Sequence, residues 1–234
     1  MKKLWCFLCL ALLLSCSHKQ DIRLRGELEN GNGRELYLSI VAADGLHELS
    51  SAKVVHNSFQ FDIKPEEVAD YLGEGEPGFF QLSFSPENGF TTLAQRGQTV
   101  YFTADANNLV GSYRVQGPQD ALLMWELDSA LASFATYTDT LLEIYQYYRD
   151  NDTVRSELER RYVGAVDLHQ QYLRRFISKH PSSFSSIIAF YQRYDYRHFF
   201  DEEEDAELLQ MITDSLEVKY PNSQYVKFLR TRLK

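Results

Sequence analysis

Cysteine is almost missing from this sequence. Of the three present, Cys6 and Cys9 lie inside an apolar run near the N-terminus, and only Cys16 lies beyond it. With that run removed a single thiol remains, which excludes a disulfide, a C-x-x-C redox pair and a cysteine-based metal site within the chain. Basic charge is short as well: 24 Lys and Arg stand against 33 Asp and Glu, for a formal charge of -9. Nucleic acid, whose phosphates demand a basic face, is excluded as a partner by that balance. No glycine-rich phosphate loop, no G-x-S-x-G elbow and no H-E-x-x-H occurs, so no cofactor is implied. Long apolar runs are also lacking. The one from Leu4 to Leu14 holds eleven residues, whereas a helix that spans a bilayer needs about 20.

What is there begins with the flanks of that run. Lys2 and Lys3 precede it and "LLLSC" closes it at Cys16, the order of parts in a cleaved secretory signal. A serine directly before a cysteine, with leucine at the third position before it, resembles the cleavage box of bacterial lipoproteins. In that family the cysteine is lipidated and becomes the first residue of the mature chain. The resemblance therefore implies a leader at residues 1–15 and a membrane anchor through lipid on Cys16. Ser17 is not the aspartate that resembles an inner-membrane retention signal, so the cell envelope, at the outer membrane, is the expected location, with the leaflet open. Loss of Lys2 and Lys3 with the leader takes the formal charge to -11. Fifteen Tyr and fifteen Phe mark a folded chain rather than a disordered stalk.

From Ile22 to about Val115 the apolar residues alternate: Ile22, Leu24 and Leu28, then Leu36, Leu38 and Ile40, then Phe59, Phe61 and Ile63, then Phe80, Leu82 and Phe84. That is the period of half-buried strands. Turn chemistry separates them, with "ENGNG" at 29–33, "ADG" at 43–45, "HN" at 56–57, "SPENG" at 85–89 and "QRGQ" at 95–98. The pattern predicts an α+β chain whose residues 16–117 form an antiparallel β-sandwich or curled sheet of about seven strands, joined mainly as hairpins. "PEEVADYL" within 64–77 reads as a short helical turn.

The period changes after "VQGP" at 115–118. Leu123, Leu127, Ala130, Phe134, Tyr137, Leu141, Ile144 and Tyr148 keep a four-three spacing, and Leu158, Tyr162, Ala165, His169, Tyr172 and Phe176 repeat it. Only "RDND" at 149–152 intervenes, which predicts an antiparallel pair of helices over 118–148 and 153–178, with Asp152 as the second N-cap. "KHPSSFSSII" from Lys179 and "KYPNSQYVKFL" from Lys219 each place a proline and then Ser or Asn where one helix must stop and another can be capped. Residues 118–234 are thus expected to hold about five helices.

Candidates for chemistry are few. His169 sits on the inward stripe of the second long helix, where an imidazole can be tuned for proton transfer. The competing reading, a core histidine bonded to a tyrosine hydroxyl, is preferred because no acid or nucleophile recurs at a matching offset, and His169→Leu is then expected to keep or raise stability. "HFFDEEEDAE" from His198 offers His198, Asp201, Glu203 and Asp205 to a hard cation such as calcium. The run lacks the glycine and alternate spacing of a calcium loop, so a solvated turn opening the helix of Leu208, Leu209 and Ile212 is the stronger reading. Seven Phe or Tyr residues between Phe184 and Phe200 suit core packing better than a ligand platform.

The order of parts, with "RGQTVYF", "YRVQGPQDALLMWEL" and "FISKHPSSFSS" at their places, is similar to Bacteroides-type envelope lipoproteins in which a domain of unknown function precedes a thioredoxin-like thiol-disulfide oxidoreductase domain. The likeness covers nearly the full mature chain, with "V-x-G" at 115–117 and "HPxS" at 180–183 as its sharpest matches. Chains of that family usually continue past the equivalent of "YPNSQYVKFLRTRLK" into the C-x-x-C domain; this sequence stops at Lys234. The resemblance implies a noncatalytic, lipid-anchored binding or scaffold module, accessory to a thioredoxin-like or other envelope partner. Two alternatives stand beside it: an enzyme or ion-binding protein using His169 or the 198–207 segment, and a tetratricopeptide-like helical adaptor suggested by the "YPNS" punctuation.

Overall fold

A computed structural model of the chain describes residues 20–233, so Cys16 and the leader expected at 1–15 lie outside the described residues. The N-terminal half is a sandwich of two four-stranded sheets. The first runs in the order β4 (Ser58–Ile63), β1 (Ile22–Glu29), β7 (Thr99–Asp105), β8 (Arg114–Gln116). The second runs β3 (Gly45–Lys53), β2 (Glu35–Ala42), β5 (Gly78–Ser85), β6 (Asn88–Ala94). The alternation in the sequence has its expected meaning: Ile22, Leu24 and Leu28 on β1 are buried beside Phe61 and Ile63 on β4 and Val100 and Phe102 on β7. Across the sandwich, Phe90 on β6 meets Phe102 with ring centroids 5.1 Å apart.

Turn chemistry locates chain reversals but not partners. "ADG" and "SPENG" close antiparallel neighbours within the second sheet, β2 with β3 and β5 with β6. "ENGNG", "HN" and "QRGQ" instead carry the chain from one sheet to the other, so hairpins are fewer than expected. At "HN", His56 and Asn57 both take positive φ, 51° and 61°, which matches the tight two-residue turn that small polar side chains tolerate. One pair is parallel, β1 with β7, formed between strands about seventy residues apart. The 64–77 stretch holds the expected turn as a 3-10 segment at Pro65–Val68. A short helix α1 (Leu109–Ser112) precedes β8.

The helical half begins with α2 (Gln119–Tyr147) and α3 (Asp152–Lys179). They are antiparallel: Tyr172 donates to Glu126 at 3.2 Å, Phe134 lies 4.8 Å from the His169 ring, and Tyr145 donates to Glu159 at 3.4 Å. Asn151, not Asp152, caps α3, its side chain accepting from the Val154 amide at 3.1 Å. An asparagine one position earlier satisfies the same orphan amides, so the cap motif was right in kind and shifted in register. The stripe on α2 also ends early. Leu123, Leu127, Phe134 and Leu141 are buried, but Tyr137, Ile144 and Tyr148 are exposed and Thr138 takes the inward place. Between Asp139 and Ala165 only Leu141 and Leu158 are buried, so the far end of the helical pair stands out from the body as an arm.

Four further elements complete the half: α4 (Ser185–Tyr191), a two-residue-stranded hairpin of β9 (Arg193–Tyr194) and β10 (Arg197–His198), α5 (Ala206–Lys219) and α6 (Gln224–Arg232). The two proline stretches act as stop and start. The preceding helices end at Lys179 and Lys219, Ser183 accepts from the Ser185 amide at 3.3 Å, and Ser223 caps α6 through the Val226 amide. α6 returns to the second sheet, where Tyr225 donates to the Val41 carbonyl at 2.5 Å and Ser223 to Glu76, while Phe79 stacks on Phe184 at 5.9 Å. Val41, Phe79 and Leu93 lie in one row on the outer face of that sheet, and this row is what the helices cover. A single buried core consequently runs through both halves, from Ile22 to Leu229.

Candidate functional site

His169 is buried between Phe134 and Phe199, with ring centroids 4.8 and 4.6 Å away. Its Nε2 donates to Oε1 of Gln192 at 2.7 Å, so the partner is a buried amide rather than the tyrosine hydroxyl expected from the sequence. Tyr172 is near, but its hydroxyl turns out to Glu126. Burial lowers the His169 pKa while the Gln192 bond pulls it back up. A ring less basic when folded gives up a proton that the unfolded chain would keep, so this pair loses stability as pH falls below about 6.5. The amide also changes the expected outcome of His169→Leu. Leucine fills the space but leaves the buried Gln192 carbonyl without a donor, which costs about 1 to 2 kcal/mol. Thermal unfolding should drop by about 2 to 8 degrees for a chain of this size, and His169→Leu/Gln192→Leu should recover much of it. An unchanged single variant would show that the bond contributes nothing.

The 198–207 segment does not gather its carboxylates. Asp201 accepts from the Glu203 and Glu204 amides at 2.8 and 3.1 Å, which holds its pKa below the usual carboxylate range. Asp205 accepts from the Asp201 amide at 2.9 Å and pairs with Arg174. Glu202 binds Arg232 at 2.7 Å. Glu203 is exposed, and His198 lies on the exposed strand β10. The acidic run is a turn ahead of α5, closed by the Asp201 and Asp205 side chains and pinned by arginines from α3 and α6. Among the described residues no three His, Cys, Asp or Glu side chains converge as metal ligands would.

Beside that turn lies a charged hollow of about 780 Å³, lined by Glu202, Glu203, Glu207, Arg230 and Arg232, and two concave surfaces lie away from it. The larger, about 1180 Å³, lies where the arm of α2 and α3 meets the β9–β10 hairpin. Leu142 and Val163 line it, 54% and 57% exposed, with Tyr145, Tyr162 and Tyr194 between them. Tyr194 donates to Asp139, and the Arg197 guanidinium lies 5.9 Å from the Tyr162 ring centre. At the hairpin tip Asp195 takes φ 54°, which turns Tyr196 outward until it is 94% exposed. The seven-aromatic cluster thus divides: Phe184, Phe190, Phe199 and Phe200 are core, Tyr191 is half-buried and donates to Glu202 at 2.9 Å, and Tyr194 and Tyr196 belong to the groove.

The second groove, about 410 Å³, is floored by the outer face of the second sheet and walled by α2, α4 and α6. Asp128 on α2 lines it, its Oδ2 accepting from the Tyr113 hydroxyl at 2.7 Å.

Comparison with protein-family models, with curated proteins and with solved structures finds no match.

Burial pushes the Asp128 carboxyl up to about 6, against the pull of the Tyr113 bond. A carboxyl that holds its proton more tightly when folded makes stability fall as pH rises from about 4 to about 6. Asp128→Asn keeps an acceptor for Tyr113 and removes the charge. With allowance for the solvent contact Asp128 retains, it should gain about 1 to 2 kcal/mol over the parent at pH 7.5 and much less at pH 4, read by denaturant titration. Equal differences at the two pH values would contradict the burial of this charge. Neither Asp128 nor the pair Leu142 and Val163 stood out in the sequence. Asp128 is one carboxylate among many, and Leu142 and Val163 are apolar residues one position off the expected stripes.

Proposed function

We propose that the protein is a noncatalytic, lipid-anchored binding module of the cell envelope, held at the outer membrane through Cys16, whose recognition surface is the groove between the arm and the β9–β10 hairpin. The observation that carries this reading is the joint exposure of Leu142, Val163 and Tyr196 around one concavity. Large apolar groups gathered in one exposed patch and rimmed by Asp139, Glu159 and Arg197 have the makeup of a protein-interaction surface. His169 and the acidic run have structural partners that account for their positions, which leaves the enzyme or ion-binding alternative without a dedicated group there. The tetratricopeptide alternative fits poorly: α2 and α3, at 29 and 28 residues, far exceed the helices of a repeat of about 34 residues.

The partner class suggested by the family resemblance is a thioredoxin-like envelope oxidoreductase. The reading is tested on full-length, lipidated protein extracted in mild detergent. The parent should sediment as part of an assembly larger than a single detergent-bound chain, and Leu142→Glu/Val163→Glu should sediment as that single chain while keeping the parent's circular dichroism. A parent that sediments alone, or a double variant that keeps the assembly, would refute it.

A further inference from the structure

The geometry of the smaller groove points to a second, separate site: we propose that it binds a small organic ammonium compound with an apolar body, whose charge pairs with Asp128. The floor is the outer face of β2, β5 and β6, with Phe79, Gln81 and Thr91 facing in. Met124, Ile188 and Phe228 form the walls from α2, α4 and α6. At about 410 Å³ the space falls toward the lower end of small-ligand sites, which run from about 300 to 1,000 Å³.

The chemistry of the ligand follows from what Asp128 lacks. Its Oδ2 has the Tyr113 hydroxyl, and its Oδ1 has no hydrogen-bond partner among the described residues. No Lys, Arg or His lines the groove. The titratable groups that face it are Tyr113 ahead of β8, Tyr191 on α4 and Tyr225 on α6, and burial raises the pKa of each, so all three are neutral at pH 7. A largely buried carboxylate with one oxygen open to the groove and no counter-charge beside it is stabilised by a cation that brings its own hydrogen-bond donor. An anionic ligand would meet the like charge of Asp128, and a neutral alcohol would offer a single hydrogen bond. Phe79, Tyr225 and Phe228 add aromatic surface suited to an ammonium group. This groove uses none of the residues of the arm groove, so the two readings stand or fall independently.

The test is isothermal titration of the full-length protein with three matched probes: 2-phenylethylammonium, 2-phenylethanol and phenylacetate. The ammonium probe should bind saturably at pH 7.5, the alcohol about tenfold or more weakly, and phenylacetate not detectably. Asp128→Asn should lower the ammonium affinity about tenfold or more with its unfolding transition unchanged or raised. The parent itself offers a check free of mutation: its affinity for the ammonium probe should fall as pH drops from 7.5 to 5, as Asp128 takes up a proton. The proposal is overturned if the ammonium probe does not bind, if alcohol or phenylacetate binds as well, or if Asp128→Asn leaves its affinity unchanged.

Discussion

Cys16→Ala is expected to move the protein from the membrane fraction to the soluble fraction of the envelope. No helix among the described residues is long and apolar enough to cross a membrane, and a formal charge of -9 gives no attraction to anionic lipid. On the proposed reading, attachment rests on the lipid at Cys16. Each buried methylene contributes about 0.8 kcal/mol, so two or more acyl chains hold firmly where a bare acidic protein does not. Washing membranes at alkaline pH and probing both fractions reads the result directly. The parent should remain in the pellet and the alanine variant should be released almost completely. An alanine variant that stays in the washed pellet would remove the anchor from the account.

The second large effect lies in the first sheet. Gly26 on β1 shares its row with Phe59 on β4 and Phe102 on β7, and the two rings, 6.5 Å apart between centroids and nearly parallel, close over the space a side chain would take. A Cβ at Gly26 would lie 2.2 Å from the Phe102 carbonyl oxygen and 2.9 Å from the Phe59 ring. The ring can shift, but the oxygen belongs to the paired strand and moves only with the sheet. Gly26→Val is therefore expected to cost about 3 kcal/mol or more, a large share of the roughly 5 to 15 kcal/mol that stabilises a folded domain. Gly26→Ala should show the same effect more weakly. Denaturant midpoints measure both, and a valine variant with the parent's midpoint would show that this row of the sandwich is arranged differently.

Gly26 also marks the limit of what the sequence can be made to say. Strand positions and faces were readable because alternation is a local property, and Ile22, Leu24, Phe59 and Phe61 are buried as their spacing requires. The pairing of β1 with β7 was not, since it joins distant segments and depends on the closing of the whole sandwich. In the helical half, spacing located α2 and α3 and their antiparallel packing. It overran at Ile144 and Tyr148 because apolar periodicity continues past the point where the body ceases to cover the helix. The same overrun hid the arm groove: in sequence, an unpartnered apolar residue looks like a buried one. His169 was recognised as a core residue, but its amide partner, Gln192, comes from beyond the next helix and carries no local signature. Asp128 owes its properties to Tyr113 and to the apolar walls around it, none of which spacing reveals.

The central claim, that the exposed groove of the arm engages an envelope partner, is tested most directly by site-specific photo-crosslinking in intact cells. A photoreactive phenylalanine analogue replaces Tyr196 at the hairpin tip, and in a separate strain it replaces Val218, which is 88% exposed on α5 away from the groove. The account predicts one discrete crosslinked species from position 196, its loss when Leu142→Glu/Val163→Glu is added, and no such species from position 218. Equal crosslinking from both positions, or none from position 196 in lipidated protein at its native level, would contradict it.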